Sequence, residues 1–284
     1  CEFLLMGFPG DQVLQRFCAS VFFLVYLTTL LGDLLIVTLT SIDQQPKSPI
    51  YFFLKILSLI DISYISTTVP KSIMNTLTNS HSISFEGCAS QVFLVLFLAG
   101  TEHALLLVMS YDSYAVICHH LHYEAIMNRG ACVQMVTVAW LSGCAYGSLH
   151  VAGTFSMCFC GPSTVQQFFC DVLFLTLACA GDEVLVFSFT LVWVSFMSAS
   201  YMHIFSAVLR IPSAQGRLKT FTCLPHLTVV TLFLFSGIVT YLLPTISTPS
   251  LNLFMSLLYS LLPPILNPLI YSLRNKDMKI ALGK

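Results

Sequence analysis

Residues 89–118 read ASQVFLVLFLAGTEHALLLVMSYDSYAVIC, and from Ala89 to Ser110 the only ionisable side chains are Glu102 and His103. A helix needs about 20 mostly apolar residues to cross the hydrocarbon of a bilayer, and this stretch is longer than that. Working outward, similar runs lie at about 17–40, 50–72 (with Pro70 near its outer end), 132–154, 184–209, 224–243 and 251–271. Composition agrees with the count. The chain has 284 residues, 56% hydrophobic and 9% charged, with a mean hydropathy of +0.84. A soluble domain carries roughly 25% charged residues, so this one lacks the polar surface to cover itself in water. The expectation is an all-α membrane protein: a single seven-transmembrane helix bundle over 1–284. In 272–284, Leu273, Met278 and Leu282 alternate with Arg274, Lys276 and Lys279, which predicts a short amphipathic helix lying on the inner membrane surface.

Basic residues set the expected orientation. Seven spans put Lys47, Arg129, Arg210, Arg217, Lys219, Arg274, Lys276, Lys279 and Lys284 on one side. The other side receives Arg16 and Lys71 together with Glu2, Asp11, Glu86, Asp171, Asp182 and Glu183. The first side should be cytoplasmic, placing the N-terminus outside and the C-terminus inside a plasma-membrane protein. Residues 1–10 have neither the basic start nor the cleavage site of a signal peptide, and without an initiator Met a few residues are expected to precede them. No N-x-[ST] glycosylation site occurs.

Ionisable groups within spans are costly in lipid and point to function by default. Asp33 falls in the first span, Asp61 in the second, Glu102 and His103 in the third. Three carboxylates in one bundle should meet a cation, water or each other, and a shared polar cluster is expected. The plainer alternative is separate hydrogen bonds to neighbouring Ser and Asn side chains. Cys88, Cys158, Cys160, Cys170 and Cys179 fall on the outer side, where disulfides persist, while Cys18, Cys118, Cys132, Cys144 and Cys223 should be free thiols. His119, His120 and His122 have no cysteine pair beside them and do not make a zinc site. The chain contains no G-x-S-x-G, H-E-x-x-H, P-loop or G-x-G-x-x-G motif, so nothing argues for an enzyme. No internal repeat of the kind that builds many transporters is present.

Several segments are more specific. Pro49-Ile50-Tyr51-Phe52-Phe53-Leu54, Leu57-Ser58-Leu59-Ile60-Asp61, Val69-Pro70-Lys71, Met109-Ser110-Tyr111-Asp112-Ser113-Tyr114-Ala115-Val116-Ile117-Cys118, Leu121-His122-Tyr123, Ser200-Tyr201 and Pro263-Pro264-Ile265-Leu266-Asn267-Pro268-Leu269-Ile270-Tyr271-Ser272-Leu273-Arg274-Asn275 occur in that order. They are similar to the PMYFFL, LSxxD, MAYDRYVAIC, LHY, SY and seventh-helix signatures of the vertebrate olfactory receptors, a branch of the rhodopsin-like G-protein-coupled receptors. Tyr123-Glu124-Ala125-Ile126-Met127-Asn128 and Phe168-Phe169-Cys170-Asp171 most resemble the family-14 members.

The resemblance implies a disulfide between Cys88 and Cys170 and a second between Cys160 and Cys179, with Cys158 to spare. It implies a buried sodium-site pair at Asp61 and Glu102, near Asp33, and no other cofactor or metal. Asp112, Ser113, Tyr114, Tyr201, Asn267, Pro268 and Tyr271 match the activation and G-protein-coupling positions, and Trp140 is a packing landmark of the fourth span. A small volatile odorant should bind in the outer half between the third, fifth and sixth spans. The third-span face gives Val95, Leu96, Ala99 and Gly100, and the sixth gives Ser236, Gly237 and Tyr241. That face is apolar and uncharged, suiting weakly polar ligands rather than amines. The partners implied are the odorant, the lipid bilayer and a stimulatory heterotrimeric G protein of the olfactory type, with no nucleic acid.

Four departures bear on signalling. Ser113 stands where the family has Arg, and Asp33 where it has Asn. Cys158 replaces a usual Pro. Lys219-Thr220-Phe221-Thr222-Cys223 is one residue shorter than the family's KAFSTC at the start of the sixth helix. An odorant-binding receptor with impaired or no G-protein coupling is therefore the alternative. A transporter or channel would need polar residues along a continuous path, whereas the carboxylates here fall in one mid-membrane patch.

Overall fold

The computed structural model describes residues 2–5, 12–42, 49–78, 82–118, 122–156, 164–165, 169–170, 188, 191–196, 198–200, 202–203, 206, 261 and 264–267. Its elements in chain order are β1 (Glu2–Leu5), α1 (Gln12–Ile42), α2 (Pro49–Thr78), β2 (Ser82–Ser84), α3 (Phe85–Cys118), α4 (Tyr123–Ile126), α5 (Arg129–Phe155) and β3 (Thr164–Val165). Four helices among the described residues are long and apolar enough to cross a membrane: Gln15–Ile42, Pro49–Thr78, Phe85–Val116 and Arg129–Phe155. Further helical stretches occur at 191–196, 198–200 and 264–267, inside the expected fifth and seventh spans. The expected sixth span and surface helix lie outside the described residues.

In hydrocarbon every backbone polar group must be satisfied within the protein, which is why these runs are helical. Their hydroxyls are accommodated the same way. Thr28, Thr38, Ser63, Thr67 and Thr76 each donate to the carbonyl four residues earlier, at 2.7 to 2.9 Å. The side chain closes its own bond and presents only carbon to lipid.

The third span, α3, is the hub. Phe53, Leu57, Ile60 and Ile65 of α2, Val95, Leu105 and Met109 of α3, and Phe22 of α1 belong to one buried cluster. On its other flank α3 packs against α5 through a stripe of small residues. The buried face of α5 is Cys132, Val136, Ala139, Gly143, Gly147, His150 and Thr154, alternating in steps of three and four residues. Such spacing lines one side of a helix. Lipid gives helices no hydrophobic reason to associate, so close backbone approach supplies the attraction instead. Here it is close indeed. A Cβ on Gly143 would sit 2.6 Å from the Phe97 carbonyl oxygen and against the Thr101 hydroxyl, and one on Gly147 would sit 3.1 Å from the Phe93 carbonyl oxygen.

Two features go beyond the expected helices. A three-stranded sheet in the order β2-β1-β3 caps one end of the bundle. The N-terminal strand β1 runs antiparallel to β2 and parallel to β3, pairing Phe3 with Ile83 and Leu4 with Thr164. Leu5 and Ile83 are buried beneath it. At the opposite end a single-turn helix, α4, precedes α5. The Asn128 side chain caps α5 by accepting from the Ala131 amide at 2.9 Å, and its own amide donates to the Ala125 carbonyl at 2.9 Å. One residue thus joins the two helices and satisfies a donor that the α5 start would leave open.

Candidate functional site

Midway through the bundle, three carboxylates and one amide come together. Asp33, Asp61 and Asn267 are fully or almost fully buried, and Glu102 is 3% exposed. The Asn267 side-chain amide donates to Asp61 at 3.0 and 3.3 Å and to Glu102 Oε1 at 2.9 Å. One NH2 group from the 264–267 helical stretch therefore bridges α2 and α3. Asp33 lies beside the Ser58 hydroxyl without closing a hydrogen bond of ordinary geometry, and it is close enough to Asp61 and Glu102 for their charges to act on one another. Among the described residues, neither Asp33 oxygen nor the Asn267 Oδ1 has a hydrogen-bond partner. Buried oxygens of this kind are costly when left bare. The residue next to Glu102, His103, bonds to its own helix, its Nδ1 donating to the Ala99 carbonyl at 2.6 Å.

The outer end is tied down twice. Cys88, near the start of α3, is bonded to Cys170, at a sequence separation of 82. Three residues further along α3, the Gln91 side chain donates to the Thr67 carbonyl of α2 at 3.0 Å and accepts from the Cys170 backbone amide at 3.0 Å. Pro70 lies inside α2, three residues beyond Thr67, and has no N–H to offer the preceding turn. Sequence reasoning passed over Gln91. Its signal was a lone carboxamide three residues from a bridged cysteine in an otherwise apolar run.

At the inner end, Asp112 and Ser113 are buried. The Tyr123 hydroxyl of α4 donates to Asp112 Oδ1 at 2.7 Å, and the Ser113 hydroxyl turns back onto the Met109 carbonyl at 3.1 Å. Tyr114 stands with its ring 6.2 Å from that of Tyr111. Of the expected odorant-facing residues, Val95, Leu96 and Ala99 are buried in the bundle. Gly100 faces the fourth span, where an added Cβ would meet Tyr146 and Gly143 at 3.2 and 3.3 Å. Trp140 packs its ring 5.3 Å from that of Phe97. Cys158, Cys160, Cys179, Tyr201, Ser236, Gly237, Tyr241, Pro268 and Tyr271 lie outside the described residues.

A protein-family model described as olfactory receptor matches residues 22–284. The chain belongs to the olfactory receptor family. Curated human relatives agree along the whole length. Olfactory receptor 14L1 is 50% identical, with 100% of this chain and 90% of that protein covered. Olfactory receptor 14J1 is 48% identical, covering 99% and 91%. Olfactory receptor 14A16 is 47% identical, covering 99% and 94%. Membership makes the molecule a multi-pass, seven-helix receptor and not an enzyme, and bears out the likeness to family 14 read from residues 123–128 and 168–171.

Proposed function

We propose that this olfactory receptor binds a small, weakly polar odorant in the outer half of the bundle, beneath the loop tethered at Cys170. It then transmits binding to a stimulatory heterotrimeric G protein at the inner end. The observation that carries this reading is the Asn267 amide bridging Asp61 and Glu102. A single seventh-span side chain thereby ties the second and third spans together. It also has only a few discrete arrangements, which is what a switch between an outer and an inner site needs. Val95, Leu96 and Ala99, with Ser236, Gly237 and Tyr241, are the residues we assign to the odorant, whereas Gly100, expected on the same face, packs against the fourth span instead. Tyr114, Tyr201, Pro268 and Tyr271 are assigned to the inner relay together with Asp112, Ser113 and Asn267.

The orientation follows from chemistry. The Cys88–Cys170 bridge lies at the end of the bundle that carries the strand β1. Disulfides persist on the oxidising side of a cell membrane, so the N-terminus is extracellular and the C-terminus cytoplasmic. The same argument supports a second bridge between Cys160 and Cys179. A sodium ion suits the polar cluster in charge and in donor type, since hard cations take oxygen ligands. Among the described residues no three acidic, imidazole or thiol groups converge closely enough to hold a metal alone. Asp61 and Glu102, which already share the Asn267 amide as a donor, would be the carboxylates that hold the ion.

A second reading, an odorant receptor that couples weakly, is favoured by Ser113. Its short hydroxyl is spent on the Met109 carbonyl, whereas an Arg at this position could extend towards a partner. Cyclic-AMP responses to an odorant panel, at matched surface expression, test both. Ligand-dependent output is expected from the wild type, and a larger response from Ser113→Arg. Strong wild-type output that Ser113→Arg does not improve would remove the second reading. Silence from both, with surface expression intact, would remove the first.

A further inference from the structure

A groove of about 560 Å³ opens between the sheet-bearing ends of α2 and α3, within the roughly 300–1,000 Å³ of small-molecule sites. Lys71 of α2, Ser82 and Ser84 of β2, and Ser90 and Leu94 of α3 line it, and Lys71 is the only charged side chain among the described residues of its wall. Ser90 and Leu94 are exposed on a membrane-crossing helix, so the groove faces sideways into the bilayer. The bond from Gln91 to the Thr67 carbonyl sets the two helices level with one another. Lys71 and Gly87 each stand four residues nearer the sheet, about 6 Å along their helices, while Leu94 stands three residues deeper, about 4.5 Å.

Polarity changes between those levels. At the deeper one the polar groups of the wall are spent within the protein. Thr67 donates to the Ser63 carbonyl at 2.8 Å, Ser66 shares a 3.3 Å contact with the Tyr26 hydroxyl, and Gln91 is occupied at both ends. Below them Leu94 offers only carbon. At the outer level Ser84 accepts from the Gly87 amide at 3.1 Å, which uses a lone pair of its oxygen and not the hydroxyl hydrogen. Ser82 and Ser90 add two hydroxyls there, and the Lys71 ammonium carries three donors. Gly87 keeps that level open, since a Cβ would stand 2.9 Å from the Ser84 hydroxyl and 3.5 Å from the Ile83 side chain. Glu86, exposed in the first turn of α3, is not part of the wall.

A cation surrounded by hydroxyl donors, with no carboxylate in the wall, selects an oxyanion. An apolar strip directly below it, facing hydrocarbon, selects one that carries an acyl chain. We propose that this groove binds the phosphate head of a membrane phospholipid, with Lys71 as counter-ion, Ser82, Ser84 and Ser90 as hydrogen-bond donors, and the acyl chain descending over Leu94. The lysine stem lies along the wall while its ammonium reaches the polar level, as long cationic side chains do at a membrane boundary. Only the naming of this leaflet as the extracellular one rests on the orientation given above, and the binding itself does not.

The test titrates the detergent-solubilised full receptor with three probes: dioleoylphosphatidic acid, dioleoylglycerol, which has the same chains without phosphate, and inorganic phosphate. Bound lipid is followed by native mass spectrometry, and melting temperature is read in parallel. Phosphatidic acid should bind and raise the melting temperature, whereas dioleoylglycerol and inorganic phosphate at the same concentration should not. Lys71→Met keeps the stem and removes the charge, and should weaken phosphatidic acid binding about tenfold, the loss expected for one charged hydrogen-bond partner. Ser90→Leu fills the groove and should weaken it too. Lys55→Met, which removes a cation from the other end of α2, should leave binding unchanged. Wild-type binding by Lys71→Met or Ser90→Leu overturns the site, as does an equal loss in Lys55→Met, which would mark general attraction between charges. Equal stabilisation by inorganic phosphate overturns the lipid as occupant, and equal binding of dioleoylglycerol overturns the phosphate.

Discussion

Replacing Gly143 with Ala should destabilise the receptor although alanine is the better helix former. Two effects oppose one another. In a helix interior Ala is favoured over Gly by about 0.8–1.0 kcal/mol. Against that, the new Cβ would stand 2.6 Å from the Phe97 carbonyl oxygen and 2.9 Å from the Thr101 backbone nitrogen, besides striking the Thr101 hydroxyl. The hydroxyl can rotate, but the backbone of α3 cannot step aside. A carbon and a carbonyl oxygen rest at about 3.3–3.6 Å, so the helices must part by roughly 0.7 Å. A gap of about 0.5–1 Å forfeits a quarter to a half of each dispersion contact along the seam, and forcing a methyl into a full interface costs about 1–3 kcal/mol. The loss wins, by up to about 2 kcal/mol net of the propensity gain. At Gly147 the nearest atoms lie at 3.1, 3.2 and 3.3 Å. There the two effects nearly cancel, and Gly147→Ala should be close to neutral. Gly130 meets only the Asn128 side chain, at 3.2 Å, and Gly130→Ala should be neutral or mildly stabilising. Thermal unfolding in detergent, followed by a thiol-reactive dye or by loss of monodispersity, would rank the three variants. A Gly143→Ala receptor as stable as the wild type, or a Gly147→Ala receptor worse than Gly143→Ala, would refute the close-packed seam.

Gln91→Leu should lower thermal stability and surface expression, because it strips the buried Cys170 amide and the Thr67 carbonyl of their partners at about 1–3 kcal/mol each. Its effect should match that of Cys88→Ser in direction, and normal trafficking of Gln91→Leu would show that the disulfide alone holds the loop. Asp33→Asn should raise thermal stability at neutral pH, since it removes one of three mutually repelling buried groups while keeping the side-chain size. Sodium should stabilise the wild type more than potassium does, and less so once Asp61 is changed to Asn. A cation-independent melting profile in the wild type would dismiss the ion from the cluster.

How much of this was legible in the sequence differs from feature to feature. Membrane class, the helical runs and the family came from the linear order of residues alone, because a bilayer imposes its thickness on each span separately. The apolar run at 89–118 must be a helix whatever surrounds it. Asp61, Glu102 and Asn267 could be flagged as costly in lipid one by one. That a single amide serves both carboxylates depends on three spans far apart in the chain, and only their packing brings Asn267 within 3.0 Å of Asp61. Gln91 stayed unread for the same reason: its two partners lie on α2 and in the outer loop, and nothing local marks them. The small sheet formed by β1, β2 and β3 was likewise invisible, since a three-residue strand such as Ser82–Ser84 has no pattern until another strand lies beside it. Ser113 could be seen as a missing arginine, but the bond that Asp112 receives from Tyr123 could not, because Tyr123 stands at the start of the next helix, eleven residues on. Sequence determines what must be buried and what must be helical, for those are costs paid residue by residue against the solvent. Which buried groups satisfy one another is a property of pairs, and pairs exist only once the helices have packed.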